Sequence, residues 1–444
     1  MNNLVTLIDH DMRKRIEKRR LERLILKKAR PPTEGECARL MQMIRAIEPQ
    51  ANAPFIGMHA VTLDRSNLNT LDCNGIASLK ADGLHAHAAF VNCEENNEAL
   101  GERRDAAIFV LRGASGALPQ RFAVDFIFQR TMTPVLLDGE LCLRKRQLTP
   151  EEFRAVNSGQ NVHTRPYLQY PSAADAQAHA DGTDIASDEY QAVYDAHFEL
   201  VYAAFDCMYL QSKAQISRSY AERIALVRDL FEASPVVEQT KRYRVSVDHI
   251  RAALAYAGGA ENFALRMFMK PMFSMQHTSA AMHVVPACMQ GIAIDGVIFN
   301  TSSDQYIVGT NPRLLKWKPE NTADLVVVRE QFSSGIVPDR FVLFAQADGM
   351  LVPVSDALLL DTPNARWLVD AYAMPAGASK PMVLECVGVR VQEPVLHVGW
   401  RPAQPRPEKS APNSVATYQN VHAAAAQPLD EAAIVAALAA LRAT

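Results

Sequence analysis

Ser78-Leu79-Lys80-Ala81-Asp82-Gly83-Leu84-His85 sets a lysine at the end of an apolar run, with a carboxylate two residues on and then a glycine. A lysine amine attacks only when it has lost its proton, so a nucleophilic lysine needs neighbours, such as other cations or a metal ion, that lower its pKa. Alone, Asp-Gly is ordinary turn chemistry. The stretch gains weight from further polar islands set on apolar strands downstream. Asp138-Gly139-Glu140 follows Val135-Leu136-Leu137, and Asp295-Gly296 follows residues 292–294. Carboxylates at strand ends suit a hard cation or a ribose hydroxyl. In Lys316-Trp317-Lys318, strand alternation sends both ammonium groups one way and the indole the other. Such a pair is expected to neutralise an α-phosphate and to depress the pKa of Lys80. Arg406-Pro407-Glu408-Lys409 offers a further cationic clamp.

Around these islands the chain reads as short strands. Residues 106–111, 122–128, 135–143, 199–210, 292–299 and 314–317 have strand character, and 218–232 has helical apolar spacing. Residues 13–30 hold ten Lys/Arg and two Glu with interleaved Ile16, Leu21, Leu24 and Ile25. That predicts a basic amphipathic helix ending near Pro31-Pro32, either a solvated face or a nuclear-localisation or RNA-contacting element. Residues 171–195 lack Lys and Arg and read as an acidic insertion. After Pro319, brief strands at 323–328, 340–344, 351–354, 381–390 and 395–398 predict a small β-barrel of the OB type. An alanine-rich helix is expected over 429–442.

The expected architecture is therefore α+β: antiparallel sheets with flanking helices, then a C-terminal OB-fold barrel. The expected divisions are a basic helical extension (1–50), a catalytic domain (51–320, with the insertion at about 160–195), the barrel (321–425) and a terminal helix (426–444). With 444 residues, a net charge of −3 and 21% charged residues, the chain is no general polyanion binder. Its seven scattered cysteines include no Cys-x-x-Cys pair, which points to reduced thiols inside the cell and away from structural zinc. No apolar run is long enough to span a membrane.

In order, KADG (80–83), LLDGEL (136–141), AFD (204–206), IDGVIF (294–299) and LLKWKP (314–319) resemble the motifs of the covalent nucleotidyltransferases: mRNA guanylyltransferases, DNA ligases and RNA ligases. Within that superfamily, LLKWKP followed by NTADL (321–325), and RPEKSAPN (406–413), look like the mRNA capping branch. The resemblance implies a fold of two domains and a lysine that carries GMP from GTP to the 5′-diphosphate end of RNA, with Mg²⁺ or Mn²⁺ as cofactor.

Residue by residue, the resemblance makes Lys80 the nucleophile. Lys316 and Lys318 become α-phosphate contacts, and Arg406 and Lys409 contacts of the β- and γ-phosphates. Asp82, Gly83, His85, Arg112, Glu140, Phe205 and Asp295 become nucleotide-binding residues. Phe205 stacks on the base, while Glu140 and Asp295 also serve as metal ligands. His85 stands where the family usually has arginine, and Glu408 where it has aspartate. The capping branch further implies a nuclear protein working with a separate RNA triphosphatase, a cap methyltransferase or the RNA polymerase II C-terminal domain, and no membrane. The alternatives are an ATP-dependent RNA or DNA ligase, or a catalytically silent scaffold that binds RNA or polymerase.

Overall fold

The computed structural model describes residues 18, 21–26, 29–52, 55–91, 106–112, 119–125, 134–145, 198–232, 266–275, 278, 292–330, 340–375, 382–392, 397–406, 409 and 411–443. Among these, the strands before residue 320 are β1 (Met58–Thr62), β2 (Ile76–Ala81), β3 (Leu84–Val91), β4 (Ala106–Leu111), β5 (Arg121–Asp125), β6 (Val135–Lys145), β7 (Phe198–Leu210), β8 (Lys213–Ala214), β9 (Arg266–Met269), β10 (Met272–Ser274), β11 (Ile294–Asn300) and β12 (Gly309–Trp317). They form two sheets. One runs β5-β4-β3-β6-β7-β8 with β9 beside β7, the other β1-β12-β11-β2-β10.

The sheets face one another, and alternation along β6 shows how. Leu136, Asp138, Glu140 and Cys142 share one face by the period of two. Leu136 joins a core with Met58 and Leu314 of the second sheet, while Cys142 joins another with Leu79, Val297 and Leu315. The two carboxylates lie between these cores. The other face of the first sheet is covered by Val227 and Leu230 of helix α2 (Tyr220–Glu232), and by Leu21, Leu24 and Ile25. The apolar stripe of the basic N-terminal segment is thus packed into a core; residues 1–17 and the acidic insertion lie outside the described residues.

Helix α1 (Glu34–Ile47) begins at a capping box, with Thr33 and Glu36 satisfying each other's backbone N–H groups. It buries Leu40, Met43, Ile44 and Ile47 against the sheets. The sheets are not wholly antiparallel, as expected from sequence: β1 pairs parallel with β12, and β9 with β7. Parallel pairs need long crossovers, which local patterning does not reveal.

The remaining strands are β13 (Asn321–Glu330), β14 (Arg340–Ala347), β15 (Met350–Ser355), β16 (Met374–Pro375), β17 (Val383–Val391) and β18 (His397–Pro405), paired in the order β15-β14-β13-β17-β18 with β16 beside β13. The ring closes just past β15. Trp400 N–H donates to Ala357 O at 2.7 Å, and Leu359 N–H donates to Trp400 O at 2.9 Å, around a parallel bridge between Leu358 and Trp400. Helix α3 (Pro363–Tyr372) falls between the third and fourth long strands, with Thr362 as its N-cap. This order, the parallel closure and the helix position are those of an OB-fold, around the fully buried Trp400.

Helices α4 (Val415–Ala426) and α5 (Glu431–Ala443) meet at a bend of 94°. The first packs on the barrel through Tyr418, Val421 and Ala425. The second returns to the sheets, with Ile434 and Leu438 beside Leu63 and Leu71. Among the described residues no single helix is long and apolar enough to cross a membrane.

Candidate active site

The opening stretch is a corner. β2 belongs to the second sheet and β3 to the first, so the chain changes sheet across Asp82-Gly83. Gly83 permits the tight passage, because a Cβ there would stand 2.5 Å from the Leu141 carbonyl oxygen. Leu79 and Ala81 point into the core; Lys80, between them, points the other way. Asp82 N–H donates to Ala293 O at 2.8 Å, tying the corner to the segment before β11.

A second device brings in Asp295. In the β2–β11 ladder Ala81 pairs with Ile294 and Lys80 with Gly296, so Asp295 is the extra residue of a β-bulge. Its oxygens bridge two ammonium groups, Lys80 Nζ at 2.8 Å from Oδ1 and Lys318 Nζ at 2.7 Å from Oδ2. Burial opposes the Asp295 charge, but Lys80 and Lys318 outweigh it and hold the carboxyl below its usual range. Trp317 turns to the opposite side, as alternation requires, and its indole N–H donates to Leu429 O at 2.9 Å.

The electrostatics reverse one expectation. Lys80 is not depressed. Burial alone would lower it, but Asp295 and then Glu140 raise it above the ordinary lysine value. The depressed amine is Lys316, which burial, Lys318, Lys80 and Arg112 together push down to about 8. The carboxylate between Lys80 and Lys318 is what the sequence reading left out. Asp138-Gly139-Glu140 also lies inside β6 rather than at its end. Its glycine makes room for Tyr202, whose ring a Cβ would meet at 2.5 Å.

Opposite Lys80, Glu140 pairs with Lys270 at 3.1 Å, and the Lys270 ammonium stands 5.1 Å from the Phe205 ring centroid. Phe205 is likewise a bulge residue, since Asp138 pairs with Asp206 and Gly139 with Ala204. The bulge brings its ring to the His85 side of the sheet, 5.7 Å from the imidazole. Lys270 sits where the chain passes from β9 in the first sheet to β10 in the second, so it occupies a corner as Lys80 does. Sequence reasoning missed Lys270. Its signal is a lone ammonium inside the apolar run Met267-Phe268-Met269-Lys270-Pro271-Met272-Phe273.

His85 donates toward Asp138, whose other oxygen accepts from Tyr306 OH. Below them the buried pair Asp206–Arg223 closes with contacts of 2.8 and 3.0 Å. Asp206 closes the AFD motif but had been given no role, and Tyr306 and Arg223 were unforeseen. Arg112 N–H donates to His85 O at 3.2 Å, and its guanidinium is one of the charges acting on Lys316.

Arg406 and Lys409 are held by the barrel's own carboxylates. Arg406 reaches Asp324 at 3.0 Å and Glu385 at 3.2 Å, and Lys409 also pairs with Asp324. Asn413 completes the knot, its Oδ1 accepting from Asp324 N–H and its own N–H donating to Asp324 O, each at 2.8 Å. NTADL and RPEKSAPN therefore meet at Asp324. Pro407 and Glu408 lie outside the described residues.

Among the described residues no group of three or more His, Cys, Asp or Glu side chains gathers as a metal cage. Glu140 and Asp295, both close enough to act on Lys80, are hard oxygen donors that now hold Lys270, Lys80 and Lys318, so a cation bound there would share or displace those ammonium groups. Such donors suit Mg²⁺ or Mn²⁺, which complete their shells with water and substrate phosphates.

No protein-family model matches the sequence, and no curated protein matches it. Solved structures similar to it include a mycobacterial DNA ligase D complexed with ATP and MES (TM-score 0.36, 14% identity, 80% of this chain and 95% of that one). Others are the ligase domain of the M. tuberculosis enzyme (0.29, 15%, 80% and 95%) and the ATP-dependent DNA ligase of bacteriophage T7 in complex with ATP (0.29, 12%, 79% and 97%). At such scores the fold assignment rests on the strand order and barrel closure described above.

Proposed function

We propose that the chain is a covalent nucleotidyltransferase of the mRNA guanylyltransferase kind, with Lys80 as nucleophile. The observation that carries this reading is the Lys80–Asp295–Lys318 bridge at the sheet corner, with Lys316 alongside. An amine, its proton acceptor and cations for a phosphate stand together there.

In the first step the Lys80 amine attacks the α-phosphorus of GTP. A P–N bond forms, the P–O bond to pyrophosphate breaks, and the amine proton is lost, with Asp295 as the adjacent acceptor. Because Lys80 rests as an ammonium, it gives up one proton before attack and a second as the P–N bond forms, and Asp295, 2.8 Å from Nζ, passes them on to solvent. Lys316 and Lys318 offset charge on the phosphate. Mg²⁺ or Mn²⁺ at Glu140 and Asp295 supplies further positive charge when bound.

In the second step a terminal phosphate oxygen of a 5′-diphosphate RNA attacks the adduct, the P–N bond breaks, and the Lys80 amine returns. In the first step Arg406 and Lys409 meet the leaving pyrophosphate only by exchanging Asp324 and Glu385 for it. The choice of GTP and RNA rests on the NTADL and RPEKSAPN resemblance.

Purified protein incubated with α-labelled GTP or ATP and Mg²⁺, then denatured and run on a gel, tests this reading. Label from GTP that pyrophosphate removes, and that Lys80→Ala abolishes, is the expected result. Label from ATP alone makes the protein a ligase-type enzyme. Label on the Lys80→Ala variant overturns the choice of nucleophile.

A further inference from the structure

His85 on β3 and Asp138 on β6 meet with Nε2 2.7 Å from Oδ1. Asp138 is wholly buried. Its Oδ1 takes His85 Nε2 and its Oδ2 takes Tyr306 OH, so the imidazole is pinned through Nε2 and Nδ1 lies on the opposite edge of the ring. Tyr306 OH donates to Oδ2 at 2.7 Å and accepts from Met58 N–H at 3.2 Å, so the second oxygen is committed too.

His87 is no competitor. It is fully buried, its Nε2 lies 3.6 Å from Asp138, and burial takes it down to about 4. The His85 ring is set edge-on to Phe55 at 5.0 Å and beside Phe205 at 5.7 Å. Among the described residues its Nδ1 makes no hydrogen bond. A buried carboxylate is costly unless it is well bonded. Here one of its two 2.7 Å bonds goes to a part-exposed imidazole at the edge of the site.

We propose that Asp138, with Tyr306 behind it, is a positioning residue that fixes the orientation and tautomer of His85 and so presents Nδ1 to a nucleotide held beside Phe205. This rests on the nucleotidyl transfer assigned to Lys80.

The test is a double-mutant cycle of Asp138→Asn and His85→Ala, read as the KM and kcat of Lys80 adduct formation and as dissociation constants for GTP and ATP. Asp138→Asn is expected to weaken nucleotide binding or adduct formation about tenfold or more in the native background. In the His85→Ala background the loss should be less than about twofold, because the two act as one unit. Tyr306→Phe, which removes a single hydrogen bond, should show a smaller loss that also disappears without His85; it decides alone if Asp138→Asn does not fold. Equal losses in both backgrounds overturn the positioning role. A native protein that binds nucleotide but forms no adduct overturns only the transfer reading, and the binding cycle still decides the role of Asp138.

Discussion

At the scale of single residues, the constraint on Gly296 is steric. It sits at φ +153°, and a Cβ there would lie 2.0 Å from the Trp317 carbonyl oxygen. The clash falls on the β11–β12 ladder, which seats Asp295 on one strand and Lys316 on the other. Gly296→Ala is expected to cost about 2–4 kcal/mol of stability, from strain plus overpacking. It should also remove adduct formation. Urea unfolding checks the first effect; a midpoint unchanged from the native protein would show that the ladder shifts without cost. Residue types were the most legible layer of the site. Lys80, Asp295, Lys316 and Lys318 stand in the sequence as charges on apolar strands, and the structure gathers all four. Their protonation was not legible, because it depends on which carboxylate bridges which ammonium.

At the scale of elements, strands were readable and their irregularities were not. The apolar runs read as strands at 106–111, 135–143 and 199–210 correspond to β4, β6 and β7. The bulges that aim Asp295 and Phe205 leave no mark in a hydrophobic pattern, since one extra residue is defined only by the partner strand. Helices α3 and α4 went unread: the first is short, and the second, VATYQNVHAAAA, has weak apolar periodicity. Glu385 on β17 is where an element's energetics can be tested. Burial opposes its charge, but Arg406 and the Gln404 hydrogen bond outweigh it and hold it at about 2, against an ordinary 4.5. A depressed carboxyl adds stability that is fully present above pH 4.5 and is lost as pH falls through 2. That shift corresponds to about 3 kcal/mol. Glu385→Gln should therefore be less stable than the native protein by about that much at pH 6, and the gap should close toward pH 2. A gap independent of pH in urea unfolding would remove Glu385 from the account.

At the scale of the whole molecule, the barrel is held at both ends of its sequence. It leaves the sheets after Trp317, and the chain comes back through α5, whose entry carbonyl at Leu429 accepts from that same Trp317. Ile434 and Leu438 then complete the core that Leu63 and Leu71 begin. Ile434→Asp, placing a charge in that core, is expected to destabilise the sheets by about 4 kcal/mol or more. It should abolish adduct formation although Ile434 is far from Lys80 in sequence. Full activity in a variant with an unchanged melting temperature would mean that α5 is dispensable.

The parallel pairing of β1 with β12 also sets a timetable. Met58 and Tyr306, which meet across that part of the fold, are 248 residues apart. During translation at about 5–20 residues per second, β1 leaves the ribosome roughly 12–50 s before β12 can pair with it. For most of that interval the nascent chain also carries Lys80 on an apolar strand still awaiting its partners β10 and β11, which is the kind of edge that chaperones bind. Nascent chains halted before residue 309 should therefore be chaperone-bound and unable to take up nucleotide.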